Sequence, residues 1–345
     1  MVSNSFNIRQ IAKLAGVSVA TVSRVLNPPP GRQVTPELHD RIMRLCDEYH
    51  YYPNMHTVRM FSHRAGTVAL LAPAENMNPG NPDYNLSGII YGAETGLAED
   101  ALSLTLVAVT DRFVKDKEYL KLIRGKMVDG ILVWGWYPEQ EFLGELLAEG
   151  LPVVMISGDI PPHAPPRVEY QNYEGMRTVI EHVLACGHRE IAVATPALAC
   201  YAARERLRGI NDALREAGIT PVFRSKIAEL NYEAGIVAGK EILDCCGNRI
   251  SCIVVGNDDA AFGIAKVLLE RGVRIPEDIS VTGADGIFLR RQIQQMTSFR
   301  APSFEMGKTG AKLLIDILDG QTPSGAPLRL PVELIPGDTV ADLNR

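Results

Sequence analysis

From Thr67 onward the chain alternates short apolar runs with longer amphipathic stretches, and this alternation restricts the fold more than any other feature. The apolar runs stand at 68–72, 104–109, 130–133, 153–156, 191–194, 252–255 and 279–281. Stretches of helical period lie between them at 116–127, 141–149, 173–185, 204–217, 232–243 and 260–271. Uninterrupted apolar runs suit strands buried on both faces, and strand and helix in alternation make βαβ units with parallel sheets between helical layers. About 280 residues exceed one comfortable sheet, so two successive doubly wound halves are expected, one before residue 156 and one after 189. Ligands in such sheets sit beyond the carboxyl ends of the strands, so two facing lobes would enclose a cleft.

The segment before this rhythm reads differently. Asn7 can cap a helix, with Gln10 at the spacing of a capping box, and Ile8, Ile11, Ala12 and Ala15 follow at helical period. Gly16 breaks that helix, Ser18 caps a second one through Asn27, and the run Pro28-Pro29-Pro30-Gly31 forces a loop. Thr35-Pro36 restarts helix, with Thr35 as cap, and Tyr52-Pro53 ends it. Charge separates the two parts as well. The first 64 residues hold eight basic and four acidic side chains, a balance of +4; the whole chain carries −6, so the remainder carries −10. A basic head on an acidic body suits a head that meets a polyanion.

Several function classes are set aside. No apolar run approaches a membrane span, and the first residues do not read as an export signal, so a cytoplasmic protein is expected. The six cysteines form no CxxC pair and no metal-ligand spacing with His, which predicts reduced thiols and no metal. No P-loop, GxSxG, HExxH or dinucleotide GxGxxG stands in its required context, so neither an enzyme nor a cofactor is expected. His188, after Gly187 at a helix-to-strand turn, suits a structural hydrogen bond.

Residues 7–27, NIRQIAKLAGVSVATVSRVLN, supply the parts of a helix-turn-helix: a first helix, a tight glycine turn and a second helix able to enter the major groove. Ser18, Ala20, Thr21 and Ser23 are small or hydroxylated and permit close approach to phosphates and bases. Arg24 can reach a guanine edge with two donors, while Val17, Val22 and Val25 form the buried face.

The stretch resembles the head of the LacI/GalR family of bacterial repressors nearly residue for residue. The likeness continues through Tyr52-Pro53-Asn54, Val128-Asp129-Gly130-Ile131-Leu132, Ala185-Cys186-Gly187-His188-Arg189, 204–209, Gly256-Asn257-Asp258, 274–285 and Phe304-Glu305-Met306-Gly307. The resemblance implies a homodimer that binds a palindromic duplex operator and answers to a small-molecule effector, with a core built like a periplasmic binding protein. The implied division is a helix-turn-helix over 1–53, a hinge over 54–66 and a core over 67–345. Within the core, the first lobe comprises about 67–157 plus about 288–320, and the second about 160–285 plus the C-terminal strand 328–334.

By position the resemblance assigns base contacts to Val19, Ala20 and Arg24, and phosphate contacts to Ser18, Thr21, Ser23 and Asn27. Met60 stands where the family wedges an apolar residue into the minor groove, with Phe61 as a rival; His56, Thr57 and Val58 depart from the family's hinge pattern. Tyr84, Trp134 and Ser157 from one lobe, and Arg206, Leu230, Asn257 and Asp285 from the other, fall at effector positions. An Arg opposite an Asp and an Asn offers donors and acceptors to a polyol, and Trp134, with Trp136 and Tyr137 nearby, offers flat faces to a sugar ring. Ser157 replaces a frequent Asp, Leu230 a frequent aromatic, and Gly286 a second Asp, while 75–82 looks like an insertion before Tyr84. A sugar is the expected effector; a nucleobase corepressor is the alternative, with Trp134 on the base face. A solute-binding module without DNA activity would share the core but lack the helix-turn-helix. The tail after 334 carries no heptad stripe, which favours a dimer over a larger assembly.

Overall fold

The structure is a computed structural model that describes residues 6–26, 34–53, 64–78, 83–135, 141–158, 165–195, 200–225, 229–287 and 294–344. The chain divides into two compact units, Met1–Gly66 and Thr67–Arg345.

The first unit is three helices. Helix α1 (Ile8–Ala15) begins with the full capping box: Asn7 Oδ1 accepts from the amides of Arg9 and Gln10, and Gln10 Oε1 accepts from the Asn7 amide. Gly16 ends it at φ 65°, a left-handed conformation that costs glycine nothing. Helix α2 (Val19–Leu26) starts at Ser18, whose Oγ accepts from the Thr21 amide at 3.1 Å. Helix α3 (Pro36–Glu48) departs from expectation at both ends. Thr35 makes no side-chain cap, so Pro36 at the first position carries the start, and the helix stops at Glu48, before Tyr52-Pro53. Ile11, Ala12, Ala15, Val22, Val25, Ile42 and Cys46 close the core.

The second unit holds two parallel sheets. The larger comprises β1 (Thr67–Pro73), β2 (Ser103–Val109), β3 (Gly130–Trp134), β4 (Val153–Ile156), β5 (Arg167–Tyr170) and β11 (Leu328–Leu330), in the order β11-β5-β4-β3-β1-β2. The smaller comprises β6 (Ile191–Ala194), β7 (Phe223–Ser225), β8 (Cys252–Val255) and β9 (Ser280–Thr282), in the order β7-β6-β8-β9. A third pair, β10 (Ser298–Arg300) and β12 (Glu333–Ile335), is antiparallel. Strands β1, β3, β4, β6 and β8 are buried at every position, as their unbroken apolar runs require.

Two long helices escape the amphipathic pattern. Helix α4 (Tyr84–Ala98) and helix α12 (Ser303–Leu318) bury small residues against each other. A Cβ on Gly92 would lie 1.9 Å from the Phe304 carbonyl oxygen, and one on Gly307 would lie 2.1 Å from that of Ile89. The stretch 116–127 holds one helix, α6 (Glu118–Arg124), shorter than expected; a five-residue helix, α5 (Asp111–Lys115), precedes it, and Lys117 at φ 49° separates the two. Helix α7 (Glu141–Ala148) covers the larger sheet. Helices α8 (Asn172–Ala185), α9 (Tyr201–Glu216), α10 (Tyr232–Cys246) and α11 (Asp258–Glu270) belong to the second lobe.

The lobe boundaries also depart from expectation. Leu328–Leu330 pairs in parallel with β5 and so extends the first lobe's sheet, and β5 itself lies in that sheet. Pro331 follows β11 and has no amide hydrogen, so the run 328–334 splits and Glu333–Ile335 pairs elsewhere. The tail then lies on the second lobe, where the Leu343 amide donates to the Cys186 carbonyl. The chain thus crosses between lobes after Tyr170, after Arg300, which still pairs with Asp285 beside β9, and after Leu330, and the paired neighbour decides which lobe owns a strand near a crossing.

Candidate functional site

In the first unit, α2 turns two valines inward and the polar set outward. Val22 and Val25 are buried, Ser18, Val19, Ala20 and Ser23 are exposed, and Thr21 and Arg24 are half-buried. The exposed set forms one face because its positions recur at helical spacing away from the core. Ser18 Oγ and Thr21 Oγ1 lie 2.9 Å apart and fix each other's rotamers at the helix start. Asn27, the hinge residues His56, Thr57 and Val58, the wedge positions Met60 and Phe61, and Trp136 and Tyr137 all lie outside the described residues.

In the second unit the guanidinium of Arg206, on α9, gathers residues from both lobes. Its Nε donates to Asn172 Oδ1 at 2.8 Å, Nη1 to the Gly256 carbonyl at 2.8 Å and to Asp285 Oδ2 at 3.3 Å, and Nη2 to the Tyr170 hydroxyl at 2.6 Å and to Asp285 Oδ1. The Arg206 and Asp285 side chains are 4 % and 8 % exposed, a buried ion pair. Each terminus of the fork meets an acceptor, which is the condition for holding such a charge away from water. The pair stands beyond the carboxyl ends of β8 and β9, where doubly wound sheets place ligands. Asp285 adopts φ 107°, unusual for a residue with a side chain, and its backbone is held by the Phe299 carbonyl and the Ala301 amide.

The other positions serve as supports. Asn257 caps α11 by accepting from the Ala260 amide at 3.0 Å, and its Nδ2 donates to the Leu230 carbonyl at 2.9 Å. Ser157 lies just past β4 at φ 60°, its amide donating to the Val168 carbonyl. Tyr84 opens α4 and is 37 % exposed, with its hydroxyl pushed up by burial and by Asp259 across the cleft. Trp134 does not present an open face: it is 6 % exposed in the first lobe's core, and its indole N–H donates to Asp83 Oδ2 at 2.8 Å. Asp83 caps α4, also accepts from Asn76, and has its carboxyl raised by burial.

Sequence reasoning missed Tyr170, Asn172 and Asp83. Tyr170 and Asn172 adjoin the expected helix start at 173, but a four-residue strand with two charged side chains leaves no apolar run to reveal it. Asp258 was also passed over. It is wholly buried, Oδ2 accepts from the Ile287 amide at 2.6 Å, and Oδ1 has no hydrogen-bond partner among the described residues. Its carboxyl is pushed up by burial and then by the charge of Asp285. His188 is 1 % exposed between Ser251 and the Ala341 carbonyl, a structural role. Among the described residues no cluster could hold a metal ion, and no helix is long and apolar enough to cross a membrane.

Comparison with known proteins places these features. Residues 7–54 match the family model of bacterial regulatory proteins of the lacI family, and residues 180–340 match a periplasmic binding protein-like domain. The transcriptional regulator CelR of Thermobifida fusca is 30% identical over 332 residues, covering 94% of this chain and 95% of its own. The chain belongs to the LacI family. It is a LacI-type DNA-binding transcription regulator, as its head and core together imply. The transcriptional repressor PurR of Photobacterium profundum is 28% identical over 342 residues, covering 98% of this chain and 99% of its own. Among solved structures, a CelR–cellobiose complex matches with a TM-score of 0.70 at 28% identity, covering 97% of this chain and 99% of that one. The lac repressor dimer bound to operator and an anti-inducer shares the fold, with a TM-score of 0.79 at 22% identity, covering 98% of this chain and 100% of that one. Both of these curated relatives are named as transcriptional regulators.

Proposed function

We propose that this regulator is a cytoplasmic, non-enzymatic repressor that binds a palindromic operator as a homodimer and is governed by a sugar held between its lobes. One observation carries the effector reading: the buried Arg206–Asp285 pair stands beyond the strand ends with partners from both lobes. A sugar hydroxyl both donates and accepts, which suits a guanidinium beside a carboxylate. The cellobiose bound by CelR supports the same ligand class. Val19, Ala20 and Arg24 read bases, and Ser18, Thr21 and Ser23 hold phosphates; Ser18, Val19, Ala20 and Ser23 are exposed, and Thr21 and Arg24 flank them half-buried. The assignments of Asn27 to phosphate and Met60 to the minor groove rest on the sequence resemblance. Both lobes expose large apolar side chains that a second copy would cover: Leu106 on edge strand β2 is 43% exposed, and Val237 and Leu269 on α10 and α11 are 65% and 61% exposed.

Two measurements test this function. Selection from a random duplex pool with the full-length protein at low salt is expected to enrich an inverted repeat, with affinity falling steeply as salt rises. Enrichment without dyad symmetry excludes the dimeric operator complex. A thermal-shift screen against cellobiose, glucose, ribose, adenine and guanine is expected to respond to a sugar. A response confined to the nucleobases replaces the sugar with a corepressor at the same pair.

A further inference from the structure

Arg206 has no donor left for a ligand. A guanidinium carries five N–H groups, and each one here points to an acceptor of the protein itself: Asn172, Gly256, Tyr170 and both oxygens of Asp285. An effector that binds this group therefore displaces one of them. The Gly256 carbonyl is backbone at the end of β8, Asn172 is tied by its own Nδ2 to the Tyr170 carbonyl at 3.3 Å, and Asp285 is the opposite charge. Tyr170 remains. Its hydroxyl accepts from Arg206 Nη2 at 2.6 Å and donates to Asp285 Oδ1 at 3.4 Å, the longest bond of the set. It thus fills the donor-and-acceptor place that a sugar hydroxyl would take between the two charges.

Its position in the fold gives this exchange a consequence. Tyr170 is the last residue of β5 in the first lobe's sheet, while Arg206 and Asp285 belong to the second lobe. Among the described residues, Tyr170 is the only member of the first sheet that Arg206 touches by hydrogen bond. The same guanidinium reaches Asn172 at the first crossing and Asp285, whose backbone pairs with Phe299 and Ala301 at the second. The strand behind the tyrosine is anchored, because the buried Glu169 accepts from Arg167 at 2.7 Å and from Arg329 at 3.3 Å. We propose that the Tyr170 hydroxyl is an interlobe latch that competes with the effector for Arg206 and Asp285. Displacing it unties the first sheet from the guanidinium, so occupancy of the cleft is felt at the crossings. The competition rests on the effector reading given above; the latch does not.

Hydrogen–deuterium exchange on the full-length protein without added effector tests the latch through Tyr170→Phe, which keeps the ring and removes one oxygen. Peptides covering 167–172 and 283–301 are expected to exchange about tenfold faster, the population shift that one charge-assisted hydrogen bond supports. Peptides covering β1 and β6 keep their rates. Unchanged exchange at the crossings overturns the latch, as does uniform acceleration through both sheets, which marks the hydroxyl as a packing element. Calorimetry with cellobiose as the probe then tests the competition, and Y170F is expected to bind about tenfold more tightly than the wild type. Equal or weaker binding overturns the competition. Faster crossings in a protein that ignores cellobiose, both as wild type and as Y170F, leave the latch standing and refute only cellobiose as the effector.

Discussion

Replacing Arg206 by Met keeps the stem's volume and deletes its charge, and the surroundings set the magnitude. Asp285, 8 % exposed at its side chain, keeps its own charge and retains the Tyr170 hydroxyl at 3.4 Å. Three further acceptors, Asn172 Oδ1, the Gly256 carbonyl and the Tyr170 hydroxyl, lose their donor at once. Those three bonds have a charged donor and belong to the same network as the ion pair, so their worth is not added to it; breaking a buried ion pair from one side costs about 3–5 kcal/mol. A loss of about 3–5 kcal/mol is therefore expected, and Asp285→Asn, which strands the guanidinium instead, belongs in the same range. The double variant strands neither charge. Its loss is expected to fall short of the summed single losses by about 3 kcal/mol, since most of each single cost is an uncompensated charge. Urea unfolding of the wild type, both single variants and the double at pH 7 measures the cycle. Single losses below about 1 kcal/mol, or a double within about 0.5 kcal/mol of additivity, refute the reasoning and mean that water screens the pair.

Three other outcomes are expected. Gly92→Ala places a Cβ 1.9 Å from a backbone oxygen of α12, so the helices must part; urea unfolding is expected to show a loss of about 1–3 kcal/mol, and a neutral variant contradicts the close crossing. Asp258 binds its proton more tightly folded than unfolded, so its carboxyl lowers stability as pH rises from its unfolded value near 4 toward its raised folded value. Asp258→Asn is therefore expected to raise the urea midpoint at pH 7 and to lose that advantage as pH falls to about 4; a lower midpoint at pH 7 rejects the sign. Arg24→Ala is expected to weaken binding to the selected palindrome by about 1–3 kcal/mol while altering random-duplex binding less, and equal losses on both remove Arg24 from base readout.

The legible parts of the fold were those with a local physical signal. Asn7, Gln10 and Gly16 mark the ends of α1 because caps and left-handed turns admit few residue types. The strands β1, β3, β4, β6 and β8 announce themselves as unbroken apolar runs because both their faces are covered. Helices α4 and α12 gave no such signal: where small residues allow two helices to touch backbone to backbone, the helix is apolar and glycine-rich and shows no amphipathic stripe. At the cleft, Arg206 and Asp285 were reachable through the resemblance. The tyrosine that joins them was not, because nothing in a strand of Arg, Val, Glu and Tyr indicates which side chain reaches a helix 36 residues later.

Sequence alone determined the class of this protein: a helix-turn-helix head, a parallel α/β core in two halves and membership of a regulator family. Those features rest on interactions among residues near in the chain, which leave a readable period or motif. The tertiary structure decided which lobe owns β5 and β11, that Trp134 is spent on Asp83, and that every donor of Arg206 is already engaged. Such outcomes depend on the pairing of groups distant in sequence, where burial sets the strength of each bond and no local pattern records the partner.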